Sequence, residues 1–141
     1  MTISQVRTYF DGIINSVDSS IKKWDKFFDR DNIPRNLQAK AYHLSYGNLA
    51  SQELADLSTD DDLTVVIELY FKQKRDHQST FNTAMDTAHS IRMEAIKPQN
   101  AMVGANIKNV ILNSMVPEVL DNSDSSVIVT LEFTVRLLFN H

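Results

Sequence analysis

The stretch that decides the fold is residues 126–139, which read SVIVTLEFTVRLLF. Every second residue from Val127 to Phe139 is apolar, and this period of two is typical of a β-strand with one fully apolar face. At about 3.3 Å per residue the strand would be about 45 Å long, well beyond the usual length of about five or six residues. A long apolar strand at an exposed sheet edge recruits other chains, so we expect it inside a sheet or at a subunit boundary.

Composition bounds the domain count and the class of protein. The chain has 141 residues, of which 43% are hydrophobic, so residues 1–141 are predicted to form a single domain. A formal net charge of −4 disfavours a dedicated nucleic-acid binder. Cysteine is absent, which excludes disulfides, thiolate metal ligands and thiol nucleophiles. Arg7 and Asp11 interrupt any apolar signal region, so we expect a soluble, cytoplasmic product.

Apolar residues spaced three and four apart predict two helices. Residues 3–24 show this spacing, and polar residues weaken it after Val17. The pattern leaves open whether residues 21–28 continue the helix or run extended. Residues 79–96 show the same spacing, with Ser79 or Thr80 as the N-cap of a central helix.

Alternating residues predict a hairpin in the first half of the chain. Residues 39–46 alternate and stop at Gly47, and residues 63–71 alternate again. Between them lies a polar stretch that contains three consecutive aspartates. The sequence therefore predicts two strands joined by a long, mobile tip at about residues 48–62.

Residues 107–120 fit a helix or a strand, and we favour a strand. The turn-forming residues 121–125 would fold this segment back onto the terminal strand, with Pro117 at an edge position or a bulge. The predicted fold is therefore α+β: a mainly antiparallel sheet with the N-terminal helix and the central helix packed on one face. Glu68, Glu132 and Arg136 mark the wetter face.

No constellation of residues points to a reaction. The sequence has no glycine-rich phosphate loop and no Gly-x-Ser-x-Gly elbow. The four histidines lack the spacing of a helical zinc pair, and the three aspartates lack the ligand pattern of a calcium loop. We predict a protein that is not an enzyme, with no catalytic residue, no cofactor and no metal site.

The order of landmarks resembles the lambda-type tail terminator proteins of siphophages, and the resemblance spans nearly the whole chain. The landmarks are an opening helix, Trp24-Asp-Lys-Phe-Phe28 followed by Asn32-Ile-Pro34, the strand AYHLSYG at residues 41–47, the strand at residues 63–71, a helix, and the closing strand at residues 127–139.

This resemblance implies a structural protein that forms a hexameric ring on the head-proximal end of the tail tube and stops tube polymerisation. The implied partners are other copies of the chain, the tail tube protein and a head-completion or stopper protein. Genome DNA would pass through the channel without specific binding, and no membrane would be involved. The location would be the virion, after assembly in the cytoplasm of the bacterial host.

Two alternatives stay open at this point. The nearer one is another neck or tail ring, such as a head-tail connector or a tube subunit. The farther one is a small enzyme or ligand-binding domain with a pocket between helix and sheet.

The residues predicted to contact neighbouring subunits or rings fall into three groups. They are acidic residues of the hairpin tip, a basic cluster after the following strand, and residues on the second face of the terminal strand, whose other edge we expect to be unpaired. The members are Asp60, Asp61 and Asp62, then Lys72, Lys74 and Arg75, and finally Ile128, Arg136 and Leu138.

Overall fold

The computed structural model describes residues 3–28, 39–53, 58–72, 77–97, 107–120 and 126–140. These residues form two helices and five strands, and the predicted α+β class is confirmed. In chain order the elements are α1 (Ile3–Val17), β1 (Lys22–Lys23), β2 (Lys40–Glu53), β3 (Ser58–Phe71), α2 (His77–Ala95), β4 (Ile107–Val119) and β5 (Val127–Asn140).

The strands form one sheet in the order β1-β2-β3-β5-β4. Only the short β1 runs parallel to its neighbour, and all other pairs are antiparallel. The terminal strand β5 therefore lies inside the sheet, which is one of the two positions expected for it. The expectation that its other edge is unpaired is wrong, because β3 covers that edge from Phe71↔Val127 to Ser58↔Asn140.

Both helices pack on one face of the sheet, as predicted. The alternating apolar residues of β3 and β5 are buried there, and the ring of Phe10 from α1 lies 5.2 Å from that of Phe133. The helix α2 turns small residues such as Ala84 and Ala88 toward this core, which allows a close approach to the sheet. The hydroxyl of Tyr9 donates a hydrogen bond of 2.5 Å to the carbonyl of Ala95 and ties the two helices together.

The hairpin between β2 and β3 exists, but the predicted tip at residues 48–62 is wrong. The strand β2 continues to Glu53 and β3 begins at Ser58, so most of the polar stretch is paired backbone. The physical reason is β5, whose length gives β3 a partner for every residue from 58 to 71 whatever the side chains. A register shift between Tyr46 and Leu49 accommodates one extra residue of β2, because two residues of β2 lie opposite one residue of β3.

Three further predictions concern element boundaries. Residues 21–28 do not continue the helix: Lys22–Lys23 pair with β2, and the chain bends at residues 25–26. The helix α2 begins at His77, so Ser79 and Thr80 lie in its first turn and neither is its N-cap. Residues 107–119 form a strand, as favoured, and Pro117 lies on an edge strand. The turn cluster at residues 121–125 lies outside the described residues.

Candidate assembly surface

The second face of the sheet, opposite the helices, is covered at one end. There a small apolar cluster forms, in which the ring of Phe28 stacks on Tyr70 with 5.5 Å between centroids. The hydroxyls of Tyr70 and Ser126 share a buried hydrogen bond of 2.9 Å. Ile128, predicted as a contact residue, is fully buried in this cluster by the chain itself. We call this region of the sheet the closed end.

Beyond the closed end, the second face carries side chains that are half-buried or exposed. We call this surface the open face. Ile111 and Val116, both large and apolar, are 43% and 55% exposed. The remaining side chains are mostly small and polar, with few charges. The members of the open face are Asp62, Thr64, Val66, Asn109, Ile111, Ser114, Val116, Thr130, Glu132, Thr134 and Arg136.

The three predicted aspartates lie in the strand β3, near the end of the sheet that carries the β2–β3 hairpin. Asp62 faces Arg136 across the β3–β5 pair, with 3.0 Å between Oδ1 and Nε. Both side chains are partly exposed, so the pair contributes about 0–1 kcal/mol. Asp61 is buried on the opposite face. The backbone of Asp60 pairs with Leu138, and the side chains of both lie outside the described part of the structure.

The predicted basic cluster begins at the other end of β3. Lys72 is half-buried, and its backbone N–H donates a hydrogen bond of 2.9 Å to the carbonyl of Ala39. Lys74 and Arg75 lie outside the described residues. The aspartates and Lys72 are therefore separated by the length of one strand, and the structure does not bring them together.

Charged residues around β1 form two tight contacts that the sequence did not reveal. Lys40 Nζ lies 2.8 Å from Asp18 Oδ2, and Tyr42 donates a hydrogen bond of 2.7 Å to Asp11. The hydrogen bond from Lys40, together with those from Ser20, lowers the pKa of Asp18 to about 2. Burial, followed by the hydrogen bond to Asp11, raises the pKa of Tyr42.

A buried histidine next to the closed end was also missed by sequence reasoning. His43 Nδ1 lies 2.9 Å from the carbonyl oxygen of Trp24, so Nδ1 is the protonated nitrogen and donates. The ring of Phe27 covers it at 4.5 Å between centroids, and Glu68 lies opposite on β3. Alternation along β2 and β3 would have placed both residues on one face, but their pairing depends on a register that alternation alone does not fix.

A shallow groove between the C-terminal parts of α1 and α2 gathers residue types that occur in active sites. Its lining includes Ser16, His89, Ser90 and Glu94. Ser16 Oγ donates to the carbonyl of Ile13 in its own helix, and Glu94 accepts a hydrogen bond from Lys97. Within the described residues no hydrogen bond joins His89 to either serine, so the groove lacks the linked nucleophile and base of a catalytic pair.

The described parts of the chain contain neither a cluster of metal ligands nor a membrane-spanning helix. No group of three or more histidine, aspartate or glutamate side chains is placed to hold a metal ion among these residues. None of the helices formed by the same residues is long and apolar enough to cross a membrane.

Comparison with known proteins finds a likeness among solved structures and none among family models or curated proteins. Neither the models of protein families nor the curated proteins contain a match to this chain. Among solved structures, the chain is similar to a protein chain in the virion of a native gene transfer agent particle, with 14% sequence identity and a TM-score of 0.45. That alignment covers 96% of this chain and 90% of the other. A likeness at this level does not identify a family or a function.

Proposed function

We propose that this chain is a structural subunit of a phage-like particle, which assembles with copies of itself into a ring at the head-proximal end of a tail tube. The observation that carries the proposal is the sheet, which is packed by helices on one face and open on much of the other. Its two outer strands differ, since β1 and β2 form one edge and β4 forms the other. A ring requires two different, complementary surfaces on each subunit.

The order of elements supports the same proposal. The observed succession of α1, two long strands, α2 and two long strands follows the landmarks that resemble tail terminator proteins. In this proposal the ring is a hexamer that stops growth of the tube. It binds the tail tube protein on one side and a head-completion protein on the other.

The charge of the chain suits a ring through which DNA passes without being held. The formal net charge is −4, and the open face carries Asp62 and Glu132 against Arg136. Tight binding to the DNA backbone requires many lysine and arginine contacts with phosphates. A surface with two acidic side chains and one basic side chain offers few such contacts, so DNA would pass without being bound.

The decisive experiment combines the purified chain with tail tubes of its own particle. Light scattering would give the mass of the chain alone, and negative-stain microscopy would show where it binds on the tube. Sixfold rings at one tube end, with no further growth of the tube, are the expected result. Long tubes formed by the chain alone would instead identify a tube subunit. A monomer or dimer that does not bind tail tubes but binds a small ligand would identify a ligand-binding domain.

The same assay tests which ends of the subunit contact neighbouring rings. We propose that the acidic end of β3, near Asp62, and its basic end, near Lys72, face neighbours on opposite sides of the ring. The variant Lys72→Glu should then weaken binding to the tube end or to the head-completion protein. The control Lys97→Glu places the same charge change after α2 and should leave binding unaltered. Equal behaviour of the two variants would remove Lys72 from the contact.

A further inference from the structure

An exposed aromatic side chain is held in place at the closed end of the sheet. The ring of Phe27 is 67% exposed, which is the largest exposure of any large apolar side chain among the described residues. Both of its flanks are anchored: Phe28 is buried, and the N–H of Trp24 donates a hydrogen bond of 2.7 Å to the carbonyl of Tyr42. On its inner side the ring lies 4.5 Å from that of His43 between centroids. The ring is therefore presented to solvent by a segment that is fixed on both sides.

A fixed aromatic ring on a surface is well suited to bind another protein. It loses little conformational freedom when a partner covers it, because its position is already set. Buried aromatic rings at the centre of an interface also carry much of the binding free energy. Single apolar side chains are nevertheless common on protein surfaces. The charges around Phe27 therefore decide whether it belongs to a contact.

Three lysines lie around Phe27 on the second face of the sheet. The exposed Lys22 pairs with β2 beside the buried apolar cluster, and the exposed Lys26 directly precedes Phe27. The half-buried Lys72 follows Phe71, whose side chain lies in the core on the helical face, so alternation places Lys72 on the second face. None of the three lysines forms an ion pair with a described residue.

Few acidic side chains oppose these lysines. Lys23 and Lys40, which lie nearby, are each engaged in an ion pair within the chain. Asp25 is the one acidic residue of the segment 22–28. Glu118 lies on the same face but on β4, three strands away from β2. Positive charge is therefore in excess around Phe27, although the chain as a whole carries a formal charge of −4.

This combination matches a protein partner better than a nucleic acid. Binding to a phosphate backbone depends on many lysine and arginine contacts, whereas three lysines with Asp25 among them offer few. An acidic protein surface needs only a complementary field and a pocket for the ring. Lys72 also belongs to the basic end of β3, which the proposed function directs toward a neighbouring ring.

We propose that Phe27, surrounded by Lys22, Lys26 and Lys72, docks into an apolar pocket on an acidic surface of the neighbouring ring protein. In this contact the aromatic ring supplies the buried area, and the lysines orient the approach and set its dependence on salt. The inference rests on the proposed function, because the partner is the ring protein that the basic end of β3 contacts.

The first test removes the aromatic ring. Phe27→Ala should raise the dissociation constant for tail tubes or for the head-completion protein of the same particle by about tenfold or more. Met93→Ala is the matched control, since Met93 is an apolar side chain that is 45% exposed on α2. It should bind like the wild type. Sedimentation with each purified partner measures binding, and circular dichroism confirms that each variant is folded.

The second test changes the charge beside the ring. Lys26→Glu should weaken the same binding and reduce its dependence on salt, whereas Lys26→Arg keeps the charge and should retain both. Lys97→Glu makes the same charge change after α2 and should leave binding unaltered.

The outcomes separate the inference from the proposed function. If the wild type binds either partner and Phe27→Ala binds it equally well, the inference is overturned and the proposed function stands. If the wild type binds neither partner, both are overturned. If the wild type instead binds a short DNA duplex at physiological salt, and both Phe27→Ala and Lys26→Glu abolish that binding, the patch recognises nucleic acid and the inference is wrong.

Discussion

At the scale of single residues, Asp18 shows how one side chain fixes the junction between a helix and the sheet. It follows the last residue of α1 and holds Lys40, the first residue of β2, at 2.8 Å. Ser20 donates two hydrogen bonds to the same carboxylate, at 2.9 Å from its N–H and 2.6 Å from its hydroxyl. The carboxylate therefore closes the turn after α1 and places the chain for β1.

We expect Asp18→Asn to lower the free energy of unfolding at neutral pH. Because hydrogen bonds lower the pKa of Asp18 to about 2 from its usual 3.8, the ionised form stabilises the fold above the unfolded pKa. That contribution falls as the pH drops from about 4 to about 2. Urea unfolding at a series of pH values should show a gap between wild type and Asp18→Asn that closes over this range.

A second variant tests the cause of that pH dependence. Lys40→Gln removes the largest influence on the pKa of Asp18, so the loss of stability on acidification should be smaller than in the wild type and should end at a higher pH. When Lys40→Gln is combined with Asp18→Asn, it should alter the pH profile little, because the carboxylate is already absent. A gap between wild type and Asp18→Asn that persists unchanged at pH 2 would contradict the role given to the carboxylate.

Tyr70 and Ile128 show what the alternation of apolar residues does not predict. Alternation correctly placed Tyr70 and Ile128 on the face opposite the helices. It also predicted that this face is exposed to solvent, whereas both side chains are buried. Their cover includes Phe28 and Leu120, which come from other parts of the chain. Which segment crosses a face depends on tertiary packing, and no local pattern in residues 63–71 or 126–139 carries that information.

At the scale of elements, the β2–β3 hairpin shows why apolar alternation predicts shorter strands than those observed. Apolar alternation predicted the strand of residues 63–71, where every second side chain enters the core. The signal disappears at Asp60, Asp61 and Asp62, although the backbone of each still pairs on both sides. Strand formation there depends on hydrogen bonds with β2 and β5, so it is invisible to a pattern based on burial.

At Gly47 the two strands of this hairpin lie too close together for a larger side chain. A Cβ atom at this position would lie 3.0 Å from Thr64 Cγ2 on the neighbouring strand. We expect Gly47→Ala to lower the free energy of unfolding by about 1–3 kcal/mol, because the two strands must move apart. Chemical denaturation of the variant measures the effect.

The chain contains a matched control for this substitution. A Cβ at Gly12, on the exposed side of α1, would meet no atom within 4 Å. Gly12→Ala should therefore raise the free energy of unfolding by about 0.5–1 kcal/mol, since alanine favours a helix more than glycine does. Opposite signs for the two variants are expected. Stabilisation by both would show that β2 and β3 are less close at Gly47 than described.

At the scale of the whole molecule, one core joins both helices to the sheet. Phe10 has no exposed surface and packs against Phe133 in the interior strand β5. We expect Phe10→Ala to lower the free energy of unfolding by about 3–5 kcal/mol. Helix and sheet should still unfold in a single transition, which far-ultraviolet and near-ultraviolet circular dichroism would both report.

Phe27→Ala is the counterpart on the surface. The ring of Phe27 is 67% exposed, so the same substitution removes little buried area. Its effect on the unfolding of the monomer should stay within about 1 kcal/mol. Comparable losses in the two variants would contradict the assignment of the core to the helical face.

The sequence predicted the class, the two helices and the alternation of the long strands, because each depends on local periodicity. It did not predict the order of the strands, the cover over Ile128 or the contacts of Asp18 and His43. These depend on which distant segments meet.

The interior position of β5 has a consequence for how the protein folds. It is the last of the described strands along the chain, yet it separates β3 from β4. Its pairs with β3 join residues as far apart as Ser58 and Asn140. Contacts between such distant residues slow folding, because a long loop must close before they form. We therefore expect the sheet to form slowly, and chains in which β5 has not yet paired would expose the apolar sides of β3 and β4 to one another.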